Sequence, residues 1–298
     1  MRLRHLGYAC INCSLDLTTG RSLRLDNLAD AYVSEIIEAN LEALGRILAW
    51  NVEHGLKFFR ISSSVIPFAS HPDFPIDWRA RFADQLDAIR DFGRAHGLRL
   101  SMHPGQYTVL NSNRPDVVDR AIAELDYHAR FLEAVTPAGG DIVLHVGGAY
   151  GDKASAVDRF AQNFARLSEA ARDQLVIEND DTVYTLDEVL DLSRRVARPV
   201  VFDIFHHRCN HPGEHWRDGL VQKLEAVNLS WPDRPPKLHI STARHLGKTT
   251  HADFITPDDA TTLLDLMAQV DTDRPFDLMV EAKKKDLAAL ALHAEFID

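Results

Sequence analysis

Cysteine is scarce in this 298-residue chain, which has only Cys10, Cys13 and Cys209. An odd, sparse count fits a reducing compartment in which thiols stay free. Cys10 and Cys13 form a CxxC, but no second pair completes a four-thiolate zinc site, so they read as ordinary thiols. Long basic runs are missing as well, and the formal net charge is −11. That argues against an unaided, non-specific grip on a polyanion such as DNA. DNA nevertheless stays open as a substrate, because several bound dications would make one face positive. No run of about 20 apolar residues exists to span a bilayer, and the opening MRLRHLGYAC has no apolar signal core. A soluble, cytoplasmic monomer without a membrane partner is expected. Low-complexity tracts, Gly/Ser linkers and obvious repeats are also lacking, so residues 1–298 are expected to form a single domain.

What the chain does contain is an alternation of short apolar runs with longer amphipathic ones. The short runs are 3–8, 57–62, 98–103, 141–146, 174–179, 199–204, 236–241 and 276–281. Helical spacing occupies 29–53, 78–95, 115–134, 155–171, 185–196, 213–226, 257–269 and 286–296. Eight strand-like runs, each followed by a helix-like one, predict a (β/α)₈ TIM barrel as the simplest closed parallel arrangement. An open doubly wound sheet is the alternative.

Metal-ligand residue types fall repeatedly at the ends of the strand-like runs: His103, His145, Glu178, Asp203 with His206, His239, His251 in the following loop, and Glu281. Any one of them has a bland reading as a hydrogen-bonded core histidine or half of a buried ion pair. In a parallel barrel, however, all these ends meet on one face, and burying three carboxylates and five imidazoles there without cations would be very costly. Imidazole and carboxylate donors without thiolate suit manganese, zinc or cobalt rather than calcium. Two or three divalent ions bridged by a carboxylate would supply a nucleophile from water at neutral pH and neutralise charge on phosphoryl oxygens. Lys237 stands two residues before His239, so strand alternation turns both into the barrel. An ammonium beside dications is disfavoured. The outcomes are a lowered pKa, a contact with the scissile phosphate, carboxylation to a carbamate, or a plain ion pair at the barrel bottom.

The segments GYACIN, FRISSSVIPFASHPDFP, MHPGQY, LHVGGAYGDK, IENDD, FDIFHH, LHIS, HADFI and VEAKKK occur in order and in register with the eight runs. Together they resemble the UV damage endonucleases, which are related to endonuclease IV within the xylose-isomerase-like barrels. The resemblance implies a DNA repair enzyme that nicks double-stranded DNA immediately 5′ to cyclobutane dimers and 6-4 products, leaving a 3′-hydroxyl and a 5′-phosphate. It implies one metal site of His103, His145 and Glu178. Glu178 would bridge to a second with Asp203, His239 and Glu281, and His206 and His251 would supply a third. Manganese is the expected ion, and Glu178, Lys237, His239 and Glu281 are the expected catalytic set. His71, in SHPDFP, would ligate or merely stabilise its loop. Tyr8, Asn12, Gln106 and Tyr107 are implied as probes of the opened duplex, since a photoproduct makes the duplex cheap to open. Arg60, Lys153, Arg244, Lys248 and the trio Lys283, Lys284 and Lys285 are placed for phosphate contacts. Three rivals remain: an endonuclease IV-like apurinic-site nuclease, a sugar isomerase on the same barrel, and a non-catalytic metal or nucleic-acid binding protein.

Overall fold

The computed structural model describes residues 1–136, 139–211, 213–245 and 249–296. Eight parallel strands close into a barrel: β1 (Arg2–Ala9), β2 (Phe58–Ile61), β3 (Arg99–Met102), β4 (Asp141–His145), β5 (Leu175–Glu178), β6 (Val200–Asp203), β7 (Lys237–Ile240) and β8 (Pro275–Val280). Each pairs with its sequence neighbours, and β8 pairs with β1 to complete the ring. The TIM-barrel expectation holds, and the open sheet is ruled out. Strands buried on both sides explain the near-continuous apolar runs.

Eight principal helices sheathe the barrel: α1 (Asp30–Glu53), α2 (Ala83–His96), α3 (Pro115–Val135), α4 (Lys153–Phe164), α5 (Leu186–Val196), α6 (Leu220–Leu229), α7 (Pro257–Ala268) and α8 (Lys285–Phe296). Two differ from their sequence spans for local reasons. The pattern over 155–171 breaks after Phe164 because the Ser168 side chain caps a separate short helix, Glu169–Gln174, by accepting from the Ala171 amide. The pattern over 213–226 begins as a 3₁₀ turn and becomes α-helical only after Gly219, whose φ of 66° interrupts it.

The amino-terminal floor of the barrel is ionic. Arg99 donates to Asp141 at 2.9 Å, to Asp277 at 2.8 Å and to the Pro235 carbonyl at 2.9 Å. Arg4 and Arg234 serve the same two carboxylates from outside. Arg99 also lies over the Phe58 and Trp231 rings, which seal the floor from water. Gly7 is required where β1 meets β2, since a Cβ there would lie 2.2 Å from the Phe58 carbonyl oxygen. The carboxyl ends are consequently the open, adaptable face. All three cysteines are free. Among the described residues, no helix is long and apolar enough to cross a membrane.

Candidate metal centre

Parallel register puts the predicted donors side by side: His145 pairs with Glu178 across β4 and β5, and Asp203 with His239 across β6 and β7. Glu178 is buried at the centre. Its Oε2 lies 3.2 Å from His103 Nε2 and 3.4 Å from His145 Nε2, and its Oε1 lies 2.6 Å from His239 Nδ1. His239 Nδ1 also sits 3.2 Å from Glu281 Oε1. Two groups have donor atoms within 4.8 Å of one another, His103–His145–Glu178 and Glu178–Asp203–His239, and Glu178 belongs to both.

His206 reaches the same cluster through a local device. Asp203 ends β6 and caps the short helix Ile204–Asn210, its side chain accepting from the His206 amide at 2.8 Å. That first turn swings the imidazole back to 3.8 Å from Glu178 and 3.9 Å from Asp203. Its Nδ1 lies 3.1 Å from the Asn179 carbonyl oxygen. The Asn179 amide exchanges two hydrogen bonds with the Asp203 backbone, extending the pairing of β5 and β6 by one rung.

The electrostatics favour cations. Burial would raise the Glu178 carboxyl, but His239 and His145, with hydrogen bonds from His103 and His239, carry it well below the usual carboxylate range. Burial opposes charge on His206, yet Asp203, Glu178 and Glu281 push it up to about 9. Burial also lifts Asp203 to about 6, His206 opposing and Glu178 and Glu281 adding to the rise. Burial holds His103, His145 and His239 below their ordinary value, so they present neutral lone pairs. Among the described residues, three buried atoms here have no hydrogen-bond partner: His145 Nδ1, Asp203 Oδ2 and His239 Nε2. Neutral imidazoles converging on the ionised Glu178 carboxylate, with Asp203 Oδ2 left unpartnered, are what a cation site needs, so these residues fit divalent ions.

Arg60 was expected at a phosphate. It is instead paired with Glu281, largely withdrawn from solvent, Nη1 to Oε1 2.5 Å, which holds that carboxyl far below its ordinary range against the effect of burial. Lys237 is wholly buried, its ammonium 5.1 Å from the Phe58 ring centre and without a hydrogen-bond partner among the described residues. Burial lowers it to about 7, helped by Arg99 and Arg60 and opposed by Asp141 and Glu178. Among the described residues no close acid pairs it, so they contain no plain ion pair to Lys237 at the barrel bottom.

His251 stands at the edge of the cluster, 3.4 Å from Ser241 Oγ, with the Phe205 ring against it. Among the described residues it joins no three-donor group with His206. His71 is partly exposed and accepts from the Asp73 amide at 3.2 Å, outside both groups.

Tyr8 and Asn12 are corrections. Strand β1 continues to Ala9, so Tyr8 lies inside the strand rather than at its rim, 0% exposed. Its hydroxyl donates to Asn51 at 2.6 Å and accepts from Asn12 at 2.7 Å, and Asn12 is equally buried. Both hold the first loop in place and present no surface to a duplex. Tyr107, by contrast, is 83% exposed and Gln106 is exposed beside it. Lys153 is paired with Glu188, and Arg244 is exposed. Lys248 lies outside the described residues. The amides of Lys283 and Lys284 donate to the Ala252 and Asp253 carbonyls, which sets the lysine trio beside the loop carrying His251.

The UV-endonuclease UvdE family profile matches residues 4–298. A UV DNA damage endonuclease of Clostridium perfringens is 34% identical over 290 residues, covering 96% of this chain and 69% of that one. One from Bacillus cereus strain G9842 is 34% identical over 86% of this chain and 80% of its own. The crystal structure of SacUVDE superposes with a TM-score of 0.87 at 36% identity, covering 97% of both chains. Endonuclease IV from Thermus thermophilus shares the barrel, with a TM-score of 0.61 at 14% identity and 99% and 98% coverage. With the match running almost end to end, this chain belongs to the UV-endonuclease family UvdE, the UV DNA damage repair endonucleases.

Proposed function

We propose that the protein nicks duplex DNA immediately 5′ to cyclobutane pyrimidine dimers and 6-4 products, leaving a 3′-hydroxyl and a 5′-phosphate. The observation that carries the reading is Glu178, a buried carboxylate shared by two donor groups at the open end of the barrel. His103 and His145 on one side, and Asp203 and His239 on the other, would hold two divalent ions. Glu281 and His206 complete the second side, and His251, assigned by the family resemblance, would serve a third ion. Manganese suits the mixed imidazole and carboxylate set, and zinc or cobalt would be accepted. When bound, the ions would supply a nucleophile at neutral pH and stabilise charge on the phosphoryl and leaving oxygens.

The chain's own residues do the rest. Asn179 fixes Asp203 and orients His206, which keeps the donors from drifting. Arg60 restrains Glu281 and removes one of its lone pairs from competition. Lys237 has no solvent access for a phosphate contact. Its burial favours the neutral amine, the form that carboxylation to a carbamate requires. Gln106 and Tyr107, exposed beyond His103, test how readily the duplex opens. Supercoiled plasmid that is UV-irradiated, depurinated or untouched, incubated with protein and manganese, tests the reading. Nicked circles are expected from the irradiated form and none after chelation. Nicking of the depurinated form alone would place the activity with apurinic-site nucleases.

A further inference from the structure

The first loop, between β1 and α1, is fastened at two places. At its neck the Cys10 amide donates to the Arg60 carbonyl at 2.8 Å, and the Thr19 amide and hydroxyl donate to the Cys10 carbonyl at 3.1 and 3.2 Å. Between those residues the chain forms a small antiparallel hairpin, Ile11–Asn12 against Leu17–Thr18. The turn of this hairpin is held from the other end of the chain. The Asp286 carboxylate accepts from the Cys13 amide at 2.5 Å, from the Ser14 amide at 3.0 Å and from the Ser14 hydroxyl at 2.6 Å. Asp286 is the second residue of α8 and is 0% exposed. Hydrogen bonds to an ionised acceptor are stronger than those between neutral groups, so three of them make a firm tie.

The place to which Asp286 ties the loop carries charge. Lys285, just before it, sits at φ 47°, a backbone conformation that a long side chain adopts only when the surroundings impose it. That turn separates Lys283 and Lys284, both exposed, from the buried carboxylate. The Lys283 and Lys284 amides donate to the Ala252 and Asp253 carbonyls at 3.0 Å each. The segments after β1, β7 and β8 are thereby joined into one body at the open end of the barrel. Ile11, Phe254 and Leu287, one large apolar residue near each junction, are 42%, 45% and 39% exposed. Exposed apolar groups beside exposed ammoniums suit a nucleic acid, which offers phosphates to the cations and a weakened base step to an apolar wedge.

We propose that Asp286 is a positioning residue for DNA nicking: it latches the first loop to the lysine segment, so that Ile11, Lys283 and Lys284 meet the duplex as one preformed ledge. The inference rests on the DNA-nicking function proposed above. Among the described residues the hydrogen bonds to the Asp286 carboxylate come from the first loop and none from the metal donors, so it acts through the loop. With the latch closed, binding has no loop left to order. Without it, the loop holds its binding position only part of the time, and affinity falls by that fraction while the bond-breaking step is untouched.

The test compares manganese-loaded proteins in single-turnover nicking of an irradiated duplex over a range of protein concentrations, together with hydrogen exchange at the amides of residues 13 and 14. Asp286→Asn keeps the size but replaces one acceptor oxygen with a donor. Ser14→Ala removes one of the three bonds and carries the test if the first variant does not fold. Asp286→Asn should speed exchange at both amides and raise the half-saturating concentration about tenfold, as for a loop in place about one tenth of the time, with the plateau rate and metal content of wild type. Ser14→Ala should move exchange and half-saturation in the same direction by about two- to threefold. Ile11→Ala should raise half-saturation with exchange unchanged. Unchanged exchange in Asp286→Asn would mean there is no latch, and faster exchange with wild-type half-saturation would mean that the latch serves the fold alone; either result overturns the proposal. So does a plateau rate or metal content that falls along with affinity. If wild type does not prefer the irradiated duplex to an untreated one, the functional reading falls and this inference with it.

Discussion

Replacing Lys237 by Met should make the metal-free protein more stable while abolishing nicking. The amine is fully buried, makes no hydrogen bond among the described residues and is lowered from 10.5 to about 7. Moving an amine that far corresponds to roughly 5 kcal/mol at about 1.36 kcal/mol per pH unit, and relaxation of the surroundings brings the realistic cost to about 2–5 kcal/mol. The folded-state pKa is depressed, so the unfolded chain binds the extra proton between pH 7 and 10.5. Wild-type stability therefore rises with pH over that window, and the penalty is largest at and below pH 7. Methionine fills similar volume without a charge. Guanidinium denaturation of chelator-treated wild type and Lys237→Met should show the variant ahead by about 2–5 kcal/mol at pH 7, shrinking to about 1–2 kcal/mol at pH 9. Nicking of irradiated plasmid should be lost in Lys237→Met and in Lys237→Ala. A variant that is no more stable than wild type at pH 7, or a gap that does not narrow with pH, refutes the argument. Normal nicking refutes the catalytic role.

Glu178→Gln removes the one carboxylate common to both donor groups, and elemental analysis should find that it retains less than half the wild-type metal. Arg99→Ala leaves Asp141 and Asp277 buried with one partner each, so denaturation should report a loss of about 3–5 kcal/mol with metal content unchanged in the folded fraction. Tyr8→Phe orphans Asn51 Oδ1 and should cost about 1–3 kcal/mol in the same assay; an unchanged midpoint would show that the buried hydroxyl chain contributes nothing.

The barrel was legible because parallel strands buried on both faces must be apolar throughout, and each run located here lies within a residue or two of its strand. The convergence of the candidate donors was legible for a related reason: register in a closed barrel turns sequence position at a strand end into spatial proximity. What the sequence concealed depends on direction rather than position. Tyr8 differs from a rim residue only because β1 runs further than its apolar run suggests, to Ala9, and Asn51 of α1 offers its hydroxyl a partner. Arg60 carries no mark that separates a phosphate ligand from the partner of Glu281. The role of Asn179 as an extra rung between β5 and β6 is tertiary, and no periodicity encodes it. The helix Ile204–Asn210 was hidden because it is seven residues long and its cap, Asp203, was already counted as a metal donor.

Glu178 also makes the two halves of the centre thermodynamically inseparable. An ion entering beside His103 and His145 draws on the same negative charge that an ion beside Asp203 and His239 requires, and it also fixes the carboxylate's orientation for the second arrival. Neither affinity is a property of its own half, and by reciprocity each ion alters the other's binding by the same factor. A titration should therefore depart from two independent hyperbolas. With two ions bound, the sign of that coupling would be set by where one buried carboxylate stands between four imidazoles.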